Sequence, residues 1–410
     1  MTQENNLLSP VSITQRIISL DVLRGFAVLG ILIMNIQSFS MIGAAYLNPD
    51  AFGDLTGLNK WVWILSHIFA DLKFMTIFSI LFGAGIILFT NRVAEKGYSQ
   101  AKLHYRRTFW LLVIGLMHAY LLWYGDILVI YALCALFIYL FRNLSPMKLF
   151  VIGIILISVA SMLYLMSGLS MQFWPPEAIE NTLKGWRPND ELVQSEVLAY
   201  QGGWLGQMSK RIPSALALQT FLFLFLFGWR AGGLMLVGMA LYKWGVLKAE
   251  RTKRFYTISI GIGFGIGLPL IIYGIVRNFA AGWILGYSMF IGSQYNYWGS
   301  LLIAFAYVSL IMLFCLSQIG EKIKSLFAAV GRMAFTNYLL QTIICTTIFY
   351  GHGFGHYGEV ERSTQILIVL CVWIFQLIIS PIWLRFFKFG PFEWLWRSLT
   401  YWKIQSMSVK

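Results

Sequence analysis

Long apolar stretches alternate with short polar segments along the whole chain. A helix needs about 20 mainly apolar residues to cross a bilayer core about 30 Å thick. The pattern therefore predicts about ten membrane-spanning helices. They are expected near residues 20–40, 61–90, 108–124, 126–141, 148–168, 213–247, 255–277, 284–318, 327–350 and 365–388.

Two of these stretches, 213–247 and 284–318, are longer than one crossing requires. A stretch of that length is either broken or begins with a piece that lies along the membrane surface. Either arrangement raises the expected count to eleven or twelve helices.

The composition agrees with this pattern. Of the 410 residues, 58% are hydrophobic and 12% are charged, whereas a soluble domain carries about 25% charged residues. These values exclude a disordered chain, a collagen-like fibre and an ordinary soluble enzyme. We expect an all-α fold, a polytopic integral membrane helix bundle forming one domain over residues 1–410.

The net charge of +14 would suggest nucleic-acid binding in a soluble protein. With a cytoplasmic N-terminus, however, the inner segments hold 22 of the 31 Lys and Arg residues and only 6 of the 17 Asp and Glu residues. This is the asymmetry of the positive-inside rule. The charge therefore indicates topology and no nucleic-acid partner. We expect a lipid bilayer environment, the cell inner membrane, and cytoplasmic termini.

The longest outer segment is predicted at residues 169–212. It is too long for a simple connector, so we expect a small cap of amphipathic helix over the outer face. A disordered acidic loop is the weaker alternative, because Trp174, Trp186, Tyr200 and Trp204 supply apolar surface to bury.

Charged residues stand at the inner end of the first predicted helix. Asp21 and Arg24 are three residues apart, share a helix face and can pair. Arg16 and Arg24 can also hold an anionic ligand from the cytoplasm, with phosphate the natural choice. The alternative is a structural charge pair with a basic membrane anchor.

Asn35 lies about three turns further along the same helix. Its amide must find hydrogen-bond partners at mid-to-outer membrane depth. A functional role and helix–helix hydrogen bonding are equally compatible with its position.

A second candidate is the predicted hairpin of helices 108–124 and 126–141. Helices of this length span roughly 25 Å, which is less than the bilayer core of about 30 Å. The Gly125–Asp126 turn is therefore expected below the outer membrane surface, with His118 less than two helical turns away from it. A His beside a carboxylate is typical of a general base. The alternative is a His bonded to a neighbouring helix and an Asp that caps the next one.

Other polar positions favour structural interpretations. Asp71 and Lys73 interrupt the second predicted helix two residues apart, so each is expected to have its own partner inside the bundle, with His67 near Asp71. We predict no metal site. His352 and His356 have helical ligand spacing, but the surrounding glycines argue against a helix there.

Four motifs together resemble the YeiB-like family of bacterial membrane proteins. The first motif is residues 16–35, which begin Arg-Ile-x-x-Leu-Asp-x-Leu-Arg-Gly-Phe and end at Asn35. The second is the hairpin with His118 and Gly125–Asp126. The third is residues 331–341, which begin Gly-Arg-Met-Ala-x-Thr-Asn-Tyr, and the fourth is residues 390–401. The first helix also looks like that of the transmembrane acyltransferases, which include heparan-alpha-glucosaminide N-acetyltransferase.

The resemblance implies a bundle that takes acyl-CoA from the cytoplasm and an envelope sugar or lipid acceptor from the opposite side. Asn35 would orient the reacting carbonyl, and His118 with Asp126 would deprotonate the acceptor. The chain has no His between Asn35 and His67, where the glucosaminide enzyme carries its catalytic His. Either His118 takes that role from a different helix, or the chemistry differs or is absent. The assigned donor site comprises Arg16, Asp21, Arg24, Arg332 and Asn337, with Arg16 and Arg24 on the CoA phosphates.

The leading hypothesis is therefore an acyltransferase that moves an acyl group from acyl-CoA to an outward-facing hydroxyl or amine. The alternative is a transporter or a non-catalytic ligand-binding protein on the same bundle. The sequence leaves the oligomeric state open, a homodimer included.

Overall fold

A computed structural model describes residues 17–409, and within them the regular structure is helical apart from one isolated bridge between Phe387 and Ser408. In the first half the helices are α1 (Ile18–Ser40), α2 (Gly43–Leu47), α3 (Gly57–Phe69), α4 (Lys73–Glu95), α5 (Gln100–Leu121), α6 (Leu128–Ile138), α7 (Pro146–Ser170), α8 (Pro176–Trp186) and α9 (Asp190–Gln201). In the second half they are α10 (Met208–Gln219), α11 (Gly228–Lys243), α12 (Lys253–Ala280), α13 (Leu285–Tyr287), α14 (Ser293–Leu316), α15 (Glu321–Arg332), α16 (Ala334–Phe349), α17 (Arg362–Phe386) and α18 (Pro391–Tyr401).

Seven helical segments of the described chain are long and apolar enough to cross a membrane, and the shorter apolar helices α6 and α16 lie among them. Together with α5 they cover the ten predicted stretches. The predicted all-α polytopic bundle is confirmed, and the protein is embedded in a membrane. The seven segments are Ile18–Ser40, Gly57–Glu95, Pro146–Phe173, Met208–Lys243, Lys253–Ala280, Leu285–Leu316 and Arg362–Phe386.

Helix α1 lies at the centre of the bundle, where it packs against α4, α14, α15, α16 and α17. In the most apolar stretch of α1, 61% of the residues are buried inside the protein. The corresponding values are 22% for α17 and 28% for the segment that contains α7. The last two helices therefore turn most of their apolar surface outward, as expected for helices that face lipid.

Several predicted helices are broken. The stretch 61–90 divides into α3 and α4 at Leu72, whose φ of 64° is left-handed. The stretch 327–350 divides into α15 and α16 at Met333. As expected, the two longest stretches are interrupted, by π-helical turns at Phe223–Phe227 and Ser288–Gly292. Such turns occur frequently at functional sites.

The hairpin 108–141 was predicted to consist of two short helices, and this is wrong for the first helix and confirmed for the second. Helix α5 has 22 residues and is long enough to cross the bilayer, because it begins eight residues before the predicted start. Helix α6, with 11 residues, is short as predicted.

The predicted cap segment folds into α8 and α9, which pack onto neighbouring loops. Glu196 accepts hydrogen bonds from the Gly43 backbone N–H at 2.9 Å and from the Tyr357 hydroxyl at 3.0 Å. The Tyr200 ring stacks on Tyr357 with 4.5 Å between ring centroids, and the Trp186 indole donates to a buried backbone carbonyl. That this segment lies on the outer side stays a prediction.

Two glycines allow α1 and α15 to cross in contact. A Cβ atom added to Gly331 would lie 1.9 Å from the carbonyl oxygen of Asp21, and one added to Gly25 would lie 1.9 Å from that of Phe327. Backbone atoms cannot yield as a flexible side chain can, so a larger residue must push the helices apart.

We therefore expect Gly331→Ala to lower the free energy of unfolding by about 1–3 kcal/mol, as overpacking does in cores. Thermal melting in detergent measures the change. Gly265→Ala is the control, because its added Cβ meets nothing within 4 Å. Equal melting temperatures for the two variants would contradict the close approach.

Candidate functional site

The His118–Asp126 pair forms as predicted, and it is buried. Nδ1 of His118 lies 2.8 Å from Oδ1 of Asp126, and the two residues are 2% and 3% exposed. The other carboxylate oxygen of Asp126 accepts a hydrogen bond from the Val129 backbone N–H at 2.8 Å. Asp126 therefore contacts His118 and also caps the start of α6, which is the structural alternative expected for this pair. That His118 acts as a general base stays a prediction.

The sequence did not indicate the third member of this group, Thr342 on α16. Its Oγ1 lies 3.0 Å from Nε2 of His118. An ionised carboxylate only accepts, so Nδ1 of His118 carries the proton toward Asp126 and Nε2 of a neutral ring is the acceptor. The hydroxyl of Thr342, which also lies 3.5 Å from the Tyr338 backbone carbonyl oxygen, can then donate to Nε2.

This is the chemical order of an Asp–His–hydroxyl triad. The carboxylate fixes the tautomer and stabilises the imidazolium that forms when Nε2 takes a proton. The group is therefore equipped to remove a proton from a hydroxyl. Tyr338 and Thr342 are four residues apart and share a face of α16, which is the only sequence signal that links Thr342 to this site.

A cavity of about 580 Å³ lies between α1, α4, α5, α6, α15, α16 and α18. The end of the cavity nearest Asp126, here called its deep end, is lined by Ile127, Leu128 and Tyr338. The first two follow Asp126 in sequence, and the Tyr338 ring lies 5.3 Å from the His118 ring. The cavity therefore ends beside the triad, with Tyr338 between them.

The opposite end of the cavity lies at the start of α1, the ends of α4 and α15, and α18, and is here called its mouth. It is rich in positive charge. Arg24 is paired with Asp21 at 2.9 Å, so the predicted charge pair exists and lies on a cavity wall. The Arg107 guanidinium lies over the ring of Trp396 at 4.4 Å from its centroid. Six cationic side chains line the cavity against three acidic ones, Asp21, Glu95 and Glu393. The cationic residues are Arg24, Arg92, Lys96, Arg107, Arg332 and Arg397.

Of the predicted donor-site residues, the structure brings Asp21, Arg24 and Arg332 together on the cavity wall. Arg16 lies outside the described residues. Asn337 does not line the cavity. It is fully buried, and its amide donates to the Val330 carbonyl and the Ser380 hydroxyl, each at 3.1 Å. These contacts join α16 to α15 and α17.

Among the described residues, Asn35 makes no hydrogen bond to the triad. His118 is hydrogen-bonded to Asp126 and Thr342, and the half-buried Asn35 side chain makes no hydrogen bond to any residue between 17 and 409. Its role in orienting a carbonyl stays a prediction.

The segments 92–107 and 385–410 contribute ten of the 22 inner Lys and Arg residues that indicate topology. The structure shows that they also supply cavity residues, among them Arg92, Arg107 and Arg397. Their grouping on the side of the predicted inner loops was the signal that could have identified them.

Glu393 on α18 closes this side of the cavity and caps α16. Its carboxylate accepts hydrogen bonds from the Phe335 and Thr336 backbone N–H groups, at 2.7 and 3.1 Å, and from the Thr336 hydroxyl. Burial raises the pKa of Glu393, and these hydrogen bonds oppose that rise. The cap explains why the predicted helix 327–350 breaks here, because α16 begins anew on a side chain from α18.

We expect Glu393→Ala to lower the free energy of unfolding by about 1–3 kcal/mol, since it leaves buried donors of α16 without an acceptor. Melting in detergent with and without the exposed control Glu359→Ala separates this effect from a general loss of acidic charge. No difference between the two variants would exclude Glu393 as a structural cap.

A second polar group lies inside the bundle. Asn296 donates to Asp71 at 2.8 Å and accepts from Lys73 at 2.6 Å, and His67 pairs with Asp71 at 3.1 Å. The expected pairing of Asp71 with His67 occurs, but the expectation of separate partners is wrong for Asn296, which bridges Asp71 and Lys73. Arg230 is also buried here, 1% exposed.

Among the described residues, no group of three or more His, Cys, Asp or Glu side chains is arranged to hold a metal ion. His352 and His356 lie in an irregular segment, where His356 contacts Glu359 and His352 contacts Gln207.

The fold and the cavity define a polytopic membrane protein with a buried Asp–His–Thr group at the end of a cation-rimmed pocket. The chain belongs to the YeiB-like family. It is 34% identical to the uncharacterized protein YeiB of Escherichia coli (strain K12), over 94% of this chain and 96% of that protein. It is 31% identical to the uncharacterized protein YxaH of Bacillus subtilis (strain 168), over 98% of each. Residues 241–403 match the family described as protein of unknown function DUF418.

Proposed function

We propose that this protein is a membrane acyltransferase that moves an acyl group from cytoplasmic acyl-CoA to a hydroxyl or amine of an envelope component. The observation that carries the proposal is the cavity, which is cationic at its mouth, apolar along its walls and ends beside His118. We place the protein in the cell inner membrane with both termini in the cytoplasm, so that the mouth opens toward the CoA pool.

The cavity suits the two chemical halves of acyl-CoA. Phosphate groups favour Arg side chains, and Arg24, Arg332 and Arg397 line the mouth. An acyl chain favours apolar walls, which Leu81 and Phe82 provide further in. A volume of about 580 Å³ lies within the range of about 300–1,000 Å³ for small-molecule sites.

The triad supplies the chemistry that acyl transfer requires. Nε2 of His118 accepts the proton of the attacking hydroxyl or amine, and Asp126 stabilises the resulting imidazolium. Burial strengthens this ion pair, because the site is shielded from water.

Calorimetric titration of the detergent-solubilised protein with CoA and a panel of acyl-CoAs tests the proposal. We expect micromolar affinity that varies with the acyl group. Pantetheine, which lacks the nucleotide phosphates, is the control ligand and should bind far more weakly. Absence of CoA binding by protein with a cooperative melting transition would overturn the proposal.

A transporter is the second candidate, and the group around Asn296 favours it. Lys73, Arg230 and Asn296 each lie within the first four residues of a helix that follows a break. Charged residues at broken helices mark substrate and ion sites in transporters. An acylated envelope product in cells that overproduce the protein would exclude this candidate. Without such a product, His118→Ala should change flux or its pH dependence.

A further inference from the structure

We propose that Thr342 carries the acyl group as a covalent ester, so that transfer proceeds in two steps through an acyl-enzyme. This inference rests on the proposed acyltransferase function and deepens it. It assigns the nucleophile, where the function alone requires only a base.

The position of the Thr342 hydroxyl carries the inference. The nucleophile in a base-catalysed transfer must place its proton within hydrogen-bond reach of the base. Oγ1 of Thr342 already occupies that place, 3.0 Å from Nε2 of His118. His118 is 2% exposed and Thr342 is 1% exposed. An external acceptor would have to displace Thr342 to reach the same nitrogen.

A covalent carrier also suits the two directions of approach. The donor enters a cavity whose deep end is formed by Tyr338, one turn before Thr342 on α16. The acceptor is an envelope component and approaches from the other side. With a carrier hydroxyl between them, donor and acceptor occupy the site in turn, and CoA leaves before the acceptor arrives.

The first step forms the acyl-enzyme. Oγ1 of Thr342 attacks the thioester carbonyl carbon, and Nε2 of His118 takes the hydroxyl proton. The C–S bond breaks, CoA leaves as a thiolate and receives that proton from His118, and Thr342 is left as an ester.

The second step restores the enzyme. The acceptor hydroxyl or amine attacks the ester carbonyl and gives its proton to Nε2 of His118. The C–O bond to Thr342 breaks, and the released oxygen takes the proton back. No oxidant, reductant or further reactant is required.

The test uses purified protein and labelled acetyl-CoA without an acceptor, followed by acid quenching and mass spectrometry of the intact chain and its peptides. We expect one acetyl group on the peptide that contains Thr342, removable by alkaline hydroxylamine as an ester. Thr342→Ser should keep the label, because the hydroxyl remains. Thr342→Val and His118→Gln should reduce it to background.

Two measurements distinguish a role of Thr342 as nucleophile from a purely structural role of its side chain. Thr342→Val should bind CoA with unchanged affinity, which shows that the variant is folded and that only the nucleophile is lost. Thr346→Val, one turn further along α16 with a hydroxyl bonded to its own helix, should be labelled like the native protein.

Native protein that binds acetyl-CoA but stays unlabelled would overturn the covalent step. Full transfer to an envelope acceptor by Thr342→Val would overturn it as well. If transfer to an acceptor is observed in either case, the acyltransferase function stands, with direct transfer. Absence of CoA binding by the native protein is the separate result that overturns the function itself.

Discussion

His118→Gln is expected to reduce acyl transfer by about 10²–10⁴-fold, the usual contribution of general acid–base catalysis. Gln has similar reach but cannot take up a proton, so the hydroxyl bonded to Nε2 is no longer activated. The measurement is incorporation of labelled acetyl groups from acetyl-CoA into the envelope fraction of isolated membranes. CoA affinity should not change, because His118 does not line the cavity.

His356→Gln is the matched control, since His356 also pairs with a carboxylate but lies on an exposed loop, with 53% of its side chain accessible. It should retain native transfer. Asp126→Asn should fall about as far as His118→Gln, because the amide favours the wrong tautomer of the ring. Full transfer by His118→Gln would show that the site assignment is wrong.

Arg24→Ala is expected to weaken CoA binding by about 1.5–3 kcal/mol, the range for a hydrogen bond to a charged group. The corresponding rise in dissociation constant is about 10–150-fold. Two effects act in the same direction. The phosphate loses a charge-assisted contact, and Asp21, a negative charge on the cavity wall, loses its pair with Arg24 at 2.9 Å.

Calorimetric titration at two salt concentrations measures this change, because phosphate contacts at an open mouth weaken as salt screens them. Lys184→Ala is the control. It removes one exposed positive charge, paired with Glu180 on α8, from a region that does not line the cavity. An unchanged dissociation constant for Arg24→Ala would refute the phosphate role.

The bundle was predictable because each helix that crosses a membrane requires about 20 mainly apolar residues, a pattern that is visible in the sequence. Ten apolar stretches were enough to place the membrane segments. The breaks at Leu72 and Met333 were not predictable in the same way. Leu72 and Met333 are ordinary apolar residues with no turn signal. The break at Met333 depends on Glu393, more than 50 residues further along the chain.

The candidate site shows the same division. His118 and Asp126 are eight residues apart, so a local hairpin was enough to bring them together. Thr342 is 224 residues from His118, and no local pattern connects two helices that pack only in the folded bundle. The cationic mouth of the cavity could not be predicted for another reason. Arg and Lys residues at inner loops are expected from the positive-inside rule whether or not they bind a ligand, so their presence does not indicate a binding site.

The bridge at Asn296 has a consequence for biosynthesis. Lys73 enters the bilayer when α4 is inserted, but its amide partner lies 223 residues later in the chain. A charged residue in a membrane costs about 2.5–3.5 kcal/mol on insertion scales, and until α14 is made the Lys73 ammonium has only partners close to it in sequence, such as the His67 backbone carbonyl at 2.7 Å. Chains that stop before α14 therefore lack the Asn296 amide that completes this polar group inside the bundle.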